Sequence, residues 1–505
     1  MLSRVASAAL VGVEAVPVQV EVDISRGLPG WFVVGLPGES VREGRERVRS
    51  AILNSGAEFP ARRVTVSLAP ADLRKEGSLY DLPVALGILA CQTVLPREGL
   101  EGYLAAGELA LTGELRPVRG VLSLAAAAAA AGFRGLVIPR GQAREARLVP
   151  GIEVVPVASL QEAVGFFRRE WRPGPDRDGD DPPPREASPP PDLAEVAGQA
   201  PVKRALEVAA AGGHNLLMVG PPGAGKTMLA ARLPGILPPL TLAEALETTR
   251  VHSVAGLIPP GGGLVERPPF RSPHHTVSYA GLVGGGANPR PGEVSLATNG
   301  VLFLDELPEF SRRSLETLRQ PLEEGRVTIA RAAGTVALPA RFMLVAALNP
   351  CPCGYAAGGG RACHCSPGQV KRYLDRVSGP LLDRIDLQVS VPRVEPGSLG
   401  KGGGEPSAAV AARVAAARER QAARLPGVPL PWNGRVAAAS LRPHQEISAQ
   451  GERLLLSSME ILGLSARAHG RILRVARTVA DLAGAERIAP DHLAEAVQYR
   501  SLDRS

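Results

Sequence analysis

The sequence predicts an α/β protein in three blocks, with a phosphate-binding core in the middle block. Three observations predict it. A short apolar run, Asn215–Val219, leads straight into a Gly-rich loop and then a helical stretch, Met228–Leu233, the strand–loop–helix order of a phosphate site. Two later apolar runs, Val301–Leu304 and Phe342–Leu348, each end in polar residues, as buried parallel strands do where a sheet carries a site. A stretch with almost no apolar residues, Arg172–Pro191, divides the chain, and at 505 residues two or three domains are expected.

The first block, residues 1–171, mixes strands with helices. Val18, Val20, Val22 and Ile24 alternate as in a half-buried strand, and Val64–Leu68 and Gly135–Ile138 read as strands too. Val41, Val48, Ala51 and Ile52 fall on one face of a helix over Val41–Leu53; Leu82–Cys91 is a second helix, and Gly107–Arg116 a hairpin turning at Thr112-Gly113. Residues 172–191, rich in Pro and Asp, are expected to be a linker; residues 192–393 form the core. After a Gly-rich stretch, Glu395–Glu405, the last block (394–505 with that stretch) is helical: Ala408–Arg424, Ala449–Leu462, Ala466–Ala483 and a short Pro490–Tyr499 helix opened by Pro490 and Asp491. Arg413, Arg420 and Arg424 share one face of the first of these, a pattern expected to be solvated.

Bulk properties narrow the classes. The net charge of +7 suits a polyanion-binding surface and equally a mildly basic large protein. The N-terminal Val5–Val13 stretch passes into strand alternation and does not read as a signal-peptide core, and the Ala-rich run Leu122–Gly132 is shorter than the ~20 residues of a membrane span. A cytoplasmic protein without membrane association is expected. Four of five cysteines cluster in one loop, unlike a disulfide frame.

In the middle block, Gly220, Pro221, Pro222, Gly223, Ala224, Gly225, Lys226 and Thr227 match GxxxxGK[ST]. Its backbone N–H groups and the following helix N-terminus attract phosphate, Lys226 reaches the β- and γ-phosphates, and Thr227 offers its hydroxyl to Mg²⁺. Asp305 and Glu306 close the Val301–Leu304 strand: Asp305 would hold Mg²⁺ through water, and Glu306 would act as general base on the attacking water. Asn349, at the tip of the next strand, is placed to orient that water, or else caps a turn before Pro350. Cys351, Cys353, Cys363 and Cys365 form CxC-x9-CxC, four soft ligands able to close a tetrahedral Zn²⁺ site, or a cluster of reduced thiols.

Longer strings carry a family resemblance: Arg271-Ser-Pro-His-His275, Val301-Leu-Phe-Leu-Asp-Glu-Leu-Pro-Glu309, Asn349-Pro-Cys-Pro-Cys-Gly354, Gly379-Pro-Leu-Leu-Asp-Arg-Ile-Asp386 and Val475-Ala-Arg-Thr-Val-Ala-Asp-Leu482. With these the chain resembles, over nearly its whole length, the ComM/YifB-type, magnesium-chelatase-like AAA+ ATPases. The resemblance implies an AAA+ P-loop core, a Lon-protease-like front domain and a C-terminal helical lid. It implies a hexameric homo-oligomer with ATP at subunit interfaces, and motor action on branched or single-stranded DNA: branch-migration helicase activity in homologous recombination during natural transformation. It makes Arg384 the arginine finger that reaches a neighbour's nucleotide and Arg467 the sensor 2 arginine, where the residues alone leave a solvated helix-start arginine equally open. It puts the hairpin Gly325–Arg341 in a central pore, with Arg331 near its tip against the DNA backbone.

In the front block, Leu79 and Leu122 stand where the Lon-type nucleophilic serine and lysine would align, with Ser78 one position away, so peptide hydrolysis is not expected and a scaffold or collar is. His274 and His275 are expected to be structural. The competing reading is an ATP-dependent metal-insertion chaperone like the magnesium-chelatase motor subunit; the front block and cysteine loop favour the DNA motor.

Overall fold

The structure is a computed structural model that describes residues 1–174, 189–286, 289–331, 334–356, 361–393, 404–428 and 430–500. Most of the expected linker and of the Gly-rich stretch lies outside these residues.

The first block folds around a seven-stranded mixed sheet. Its strands are β1 (Leu2–Val11), β2 (Glu14–Ser25), β3 (Gly30–Val34), β4 (Arg63–Ala69), β5 (Tyr103–Ala105), then, past the small hairpin β6 (Glu108–Leu109) and β7 (Leu115–Arg116), β8 (Gly135–Pro139) and β9 (Glu153–Val157), in the order β3-β4-β2-β1-β5-β8-β9. The hairpin turns where the Thr112-Gly113 signal predicts. β1 was read from sequence only as a short apolar stretch; it pairs antiparallel with β2 along its whole length. Helices α1 (Glu39–Asn54), α2 (Asp81–Cys91), α3 (Val121–Ala130) and α4 (Leu160–Arg168) pack on the sheet. Every residue of α2 is buried, which is why its composition shows no polar face. Ser159 caps α4 by accepting from the Glu162 N–H at 3.2 Å, a contact that contributes about 1 kcal/mol in typical helices. Leu79 and Leu122 are both buried.

The middle block is an all-parallel five-stranded sheet. After α5 (Ala200–Gly212) come β10 (Leu216–Val219), α6 (Lys226–Ala230) and α7 (Leu242–Ala255). Then follow β11 (Phe270–Arg271), the ribbon β12 (Gly284–Gly285) and β13 (Arg290–Pro291), β14 (Val301–Leu304), the hairpin β15 (Arg326–Arg331) and β16 (Gly334–Pro339), β17 (Met343–Leu348) and β18 (Leu387–Ser390). The sheet order is β11-β14-β17-β10-β18. All of β14 and β17 is buried, as continuous apolar runs covered on both faces should be. The helix after the Gly-rich loop starts at Lys226 and ends at Ala230, earlier than the predicted Met228–Leu233, because the loop itself delivers the first helical N–H groups.

The last block contains α8 (Ser407–Arg424), α9 (Ala449–Leu462), α10 (Ala466–Leu482) and α11 (Pro490–Gln498). It shares one apolar core with the sheet: Val414, Ile472 and Val479 cluster with Val202 and Leu206 of α5. The arginine face of α8 is largely solvated, with Arg413 and Arg420 exposed and Arg424 partly buried, and its side chains are also partnered. Arg413 pairs with buried Glu207, Arg424 with fully buried Asp481, and Arg420 donates to the Asp481 carbonyl. These long side chains dock the helix and carry their charge into partnered sites.

The first block docks on α7. The Gly120 N–H donates to the Ser253 carbonyl at 3.1 Å, Ser253 Oγ donates to Glu145, and Arg250 pairs with Glu14 at 3.1 Å. Val13, from the β1–β2 turn, is buried with Val251, Leu296 and Leu338, so the β15–β16 hairpin is gripped at its base between two blocks. Among the described residues no helix is long and apolar enough to cross a membrane.

Candidate nucleotide-hydrolysis site

Three adjacent strands, β14, β17 and β10, end at the same edge of the sheet, and each delivers its polar residues there. Past β10 the loop Gly220–Thr227 turns back with Gly223 and Gly225 at φ +74° and +88°, a left-handed backbone that glycine adopts without a Cβ penalty. Lys226 follows, nearly buried. Its Nζ donates to the Gly220 and Pro221 carbonyls at 2.7 and 3.0 Å and to Asn349 Oδ1 at 3.0 Å. Burial pushes its ammonium below the ordinary lysine range, while Asp305 and Glu306 pull it back up. Thr227 Oγ1 donates to Asp305 Oδ2 at 2.5 Å. A hydroxyl and a carboxylate so close are two hard oxygen donors facing one point, the kind of set Mg²⁺ takes together with water and phosphate oxygens.

Glu306 stands at φ +53°, an uncommon conformation for glutamate, and its N–H donates to Asp305 Oδ1 at 2.9 Å. The turn separates the two adjacent carboxylates: one faces Thr227, and the other is left half-exposed. His275 Nδ1 lies 3.6 Å from Glu306 Oε2, and the His275 ring stacks on His274 at 4.0 Å and meets Phe310 edge-on at 6.4 Å. Sequence reasoning had assigned these histidines no part in the site. Their nearness to Glu306 depends on the chain between β11 and β14 folding back over the sheet edge, and no local pattern encodes that.

Arg384 and Arg467 lie elsewhere. Arg384 lies three residues before β18, and its carbonyl accepts from Asn215 Nδ2 at 2.8 Å; Asn215 immediately precedes β10. Both are therefore at the N-terminal edge of a parallel sheet whose C-terminal edge carries Lys226. At ~3.3 Å per residue, the five steps from Asn215 to Gly220 span about 16 Å. The Arg384 guanidinium is held by Glu323 and the Pro380 carbonyl, and exposed Arg467 pairs with Asp383 at 3.5 Å. The two arginines, with Arg341, Arg435, Arg471 and Arg474, line a cavity of about 660 Å³. Arg331 ends β15 at the hairpin tip, paired with Gly334; its side chain lies outside the described residues. The four loop cysteines converge, with all four Sγ atoms within 4.8 Å of one another.

A parallel sheet carrying phosphate loop, Mg²⁺ ligands and half-exposed glutamate on one edge defines a P-loop ATPase core. Residues 192–399 match the family described as "Magnesium chelatase, subunit ChlI", residues 20–142 the one described as "Subunit ChlI of Mg-chelatase", and residues 404–500 its C-terminal counterpart. The chain is 47% identical to the YifB protein of Salmonella typhimurium and 46% identical to Competence protein ComM of Haemophilus influenzae. Each alignment covers 100% of this chain and 98% of the relative. A Mycobacterium tuberculosis relative is 44% identical over 99% of this chain and 98% of its own length. The chain belongs to the ComM/YifB family of magnesium-chelatase-like proteins. Membership implies ATPase activity with ATP and Mg²⁺, which the site geometry suits.

Proposed function

We propose that this protein is a ring-forming, ATP-driven DNA motor, a hexamer acting as a branch-migration helicase on branched or single-stranded DNA in homologous recombination during natural transformation. One observation supports the reading: Lys226, Thr227, Asp305 and Glu306 stand on one edge of the sheet, and Arg384 and Arg467, the arginines this reading assigns to the transition state, stand on the other. One chain cannot complete its own site. Stacking copies edge to edge would bring Arg384 and Arg467 of one subunit to Lys226 and Glu306 of the next, the geometry of an arginine finger supplied in trans. The relative named Competence protein ComM supports the biological setting.

In such an interface Lys226 exchanges its carbonyl partners for β- and γ-phosphate oxygens. Thr227 and Asp305 would hold Mg²⁺, and the ion would supply charge neutralisation at the phosphates. Asn349, tied to Lys226, orients the attacking water, Glu306 accepts its proton, and Arg384 meets the charge that develops on the transferred group. His275 holds the Glu306 carboxylate toward that water. Arg331 at the hairpin tip grips the DNA backbone, a sequence-independent contact. The cysteine cluster holds Zn²⁺. The front block is a scaffold and not a peptidase, since Leu79 and Leu122 supply neither nucleophile nor base and lie buried.

A second reading, a metal-insertion chaperone, is favoured by the magnesium-chelatase descriptions of all three matched families. Forked DNA with ATP and Mg²⁺ separates the two. The motor reading expects strand separation that stops when ATP is omitted or when Glu306→Gln replaces the parent. Absence of DNA binding at low salt would favour the chaperone.

A further inference from the structure

The cysteine loop is more than a neighbour of the nucleotide site. Sγ separations are 3.3 Å for Cys351–Cys353, 3.6 Å for Cys353–Cys363 and 3.7 Å for Cys351–Cys363. A disulfide needs ~2.05 Å. Four sulfurs at ~2.3 Å from a tetrahedral Zn²⁺ stand about 3.8 Å apart, close to what the loop presents. Peptide N–H groups of Ala356 and Cys365 point at Cys351 and Cys363 Sγ, at 3.3 and 3.5 Å, where they would stabilise thiolate charge. Cys351 is fully buried.

Two contacts tie this cluster to the phosphate loop. Cys351 comes two residues after Asn349, whose side chain accepts from Lys226. Gly354, just past the first cysteine pair, sits at φ +86° directly against Pro222: a Cβ there would stand 2.4 Å from Pro222 Cδ and 2.6 Å from Cγ. The cysteine loop is thus one wall of the phosphate loop, and the wall is closed by the same residues that would be drawn together by a metal. Further along the phosphate loop, Gly223 and Gly225 face open space where a side chain would stand.

We propose that zinc held by Cys351, Cys353, Cys363 and Cys365 presses Gly354 against Pro222 and so sets the affinity of the phosphate loop for nucleotide. This rests on the zinc assignment made above. With the metal bound, the wall fixes the carbonyls of Gly220 and Pro221 and the Asn349 amide around Lys226. Without it, the four sulfurs are no longer drawn together, the contact of Gly354 with Pro222 is not fixed, and apparent affinity falls by the fraction that remains competent.

The test uses the full-length protein. Metal content is measured together with equilibrium binding of a fluorescent ATP analogue, before and after chelation, after zinc is returned, and in Gly354→Ala. About one zinc per chain is expected, with nucleotide affinity reduced about tenfold or more on chelation and recovered on adding zinc back. Gly354→Ala, which crowds Pro222 but touches no sulfur, should keep its zinc and bind nucleotide more weakly. Protein purified without zinc, and taking up none when zinc is supplied, would overturn the metal assignment. Zinc that is present and removable with no change in nucleotide affinity would overturn the coupling alone, as would a Gly354→Ala protein with parental affinity. Because Gly354→Ala leaves all four ligands in place, misfolding of a cysteine variant does not decide the outcome.

Discussion

The two edges of the five-stranded sheet are chemically unlike. At the C-terminal edge Lys226 donates to Asn349 at 3.0 Å, and beside that pair Thr227 donates to Asp305 at 2.5 Å and the Glu306 N–H to the same carboxylate at 2.9 Å. At the N-terminal edge the arginines Arg384, Arg467, Arg471 and Arg474 line a cavity, the first three paired with Glu323, Asp383 and Asp386. The first edge is preorganised for a polyanion and a hard cation; the second has cationic charge and no cradle of backbone N–H groups to seat a phosphate chain. The contrast teaches that one chain separates its nucleotide-binding groups from its arginine cluster by the length of the sheet, which is why the proposed function places the complete site at a junction of two subunits.

The sharpest way to break that comparison is to disable the halves separately and mix them. Lys226→Ala should lose nucleotide binding, and Arg384→Ala should bind nucleotide but lose about 10³-fold or more in turnover. Mixed together, the two inactive proteins should regain ATPase activity. Some interfaces would then pair the intact phosphate loop of the Arg384→Ala subunit with the intact Arg384 of its neighbour. Steady-state ATP hydrolysis across a range of mixing ratios checks this. No recovery, or parental turnover by Arg384→Ala alone, would place the arginine's role within its own chain or remove it.

A smaller effect separates two supporting residues, one on each edge. His275→Ala removes the imidazole beside Glu306, and Arg467→Ala removes a cation of the opposite face. Each removes one polar group near the reacting centre of its own edge, so each should reduce kcat roughly tenfold, about 1.4 kcal/mol. Mixing with Lys226→Ala distinguishes them. Arg467→Ala should recover, because its neighbour brings an intact Arg467. His275→Ala should not, because the damaged carboxylate environment belongs to the same chain as the working phosphate loop. If both recover, or neither does, the assignment of one residue to each edge fails.

The legibility of the two edges in the sequence follows the same division. The C-terminal edge could be read because each of its groups is contiguous with the strand that positions it: Gly220–Thr227 after β10, Asp305-Glu306 after β14, Asn349 after β17. Apolar run and polar tip occur together in the string. The opposite edge could be read only through family resemblance, since Arg384 gains its place from β18 lying parallel beside β10, a pairing that no residue of either strand announces. His275 reaches Glu306 across the fold, and Arg413 and Arg424 find buried carboxylates on other helices, so the stripe, exposed at Arg413 and Arg420, has partners that its own helix does not announce. β1 was missed for a local reason: Ala8 and Ala9 are both buried, which breaks the period-two alternation that reveals β2.

The smallest expected effect on nucleotide chemistry, and the one that reaches furthest from it, lies at Arg331. The hairpin β15–β16 leaves the sheet between β14 and β17 and is held at its base by Leu338 and Val13, so its tip is carried by both the ATPase core and the front block. Arg331 ends β15 at that tip, in a strand pair separate from the five-stranded sheet. Arg331→Ala should therefore leave ATP affinity close to the parent's and weaken DNA binding to a similar degree on every sequence. Each phosphate contact removed takes about one unit from the slope of log affinity against log salt. Titrating labelled forked and single-stranded DNA at several salt concentrations measures both quantities at once. A variant with unchanged slope and unchanged unwinding would take Arg331 off the DNA path. A variant that instead lost ATP binding would mean that the hairpin transmits to the C-terminal edge through its grip on β17, and the two edges would no longer be separable from what passes between the subunits.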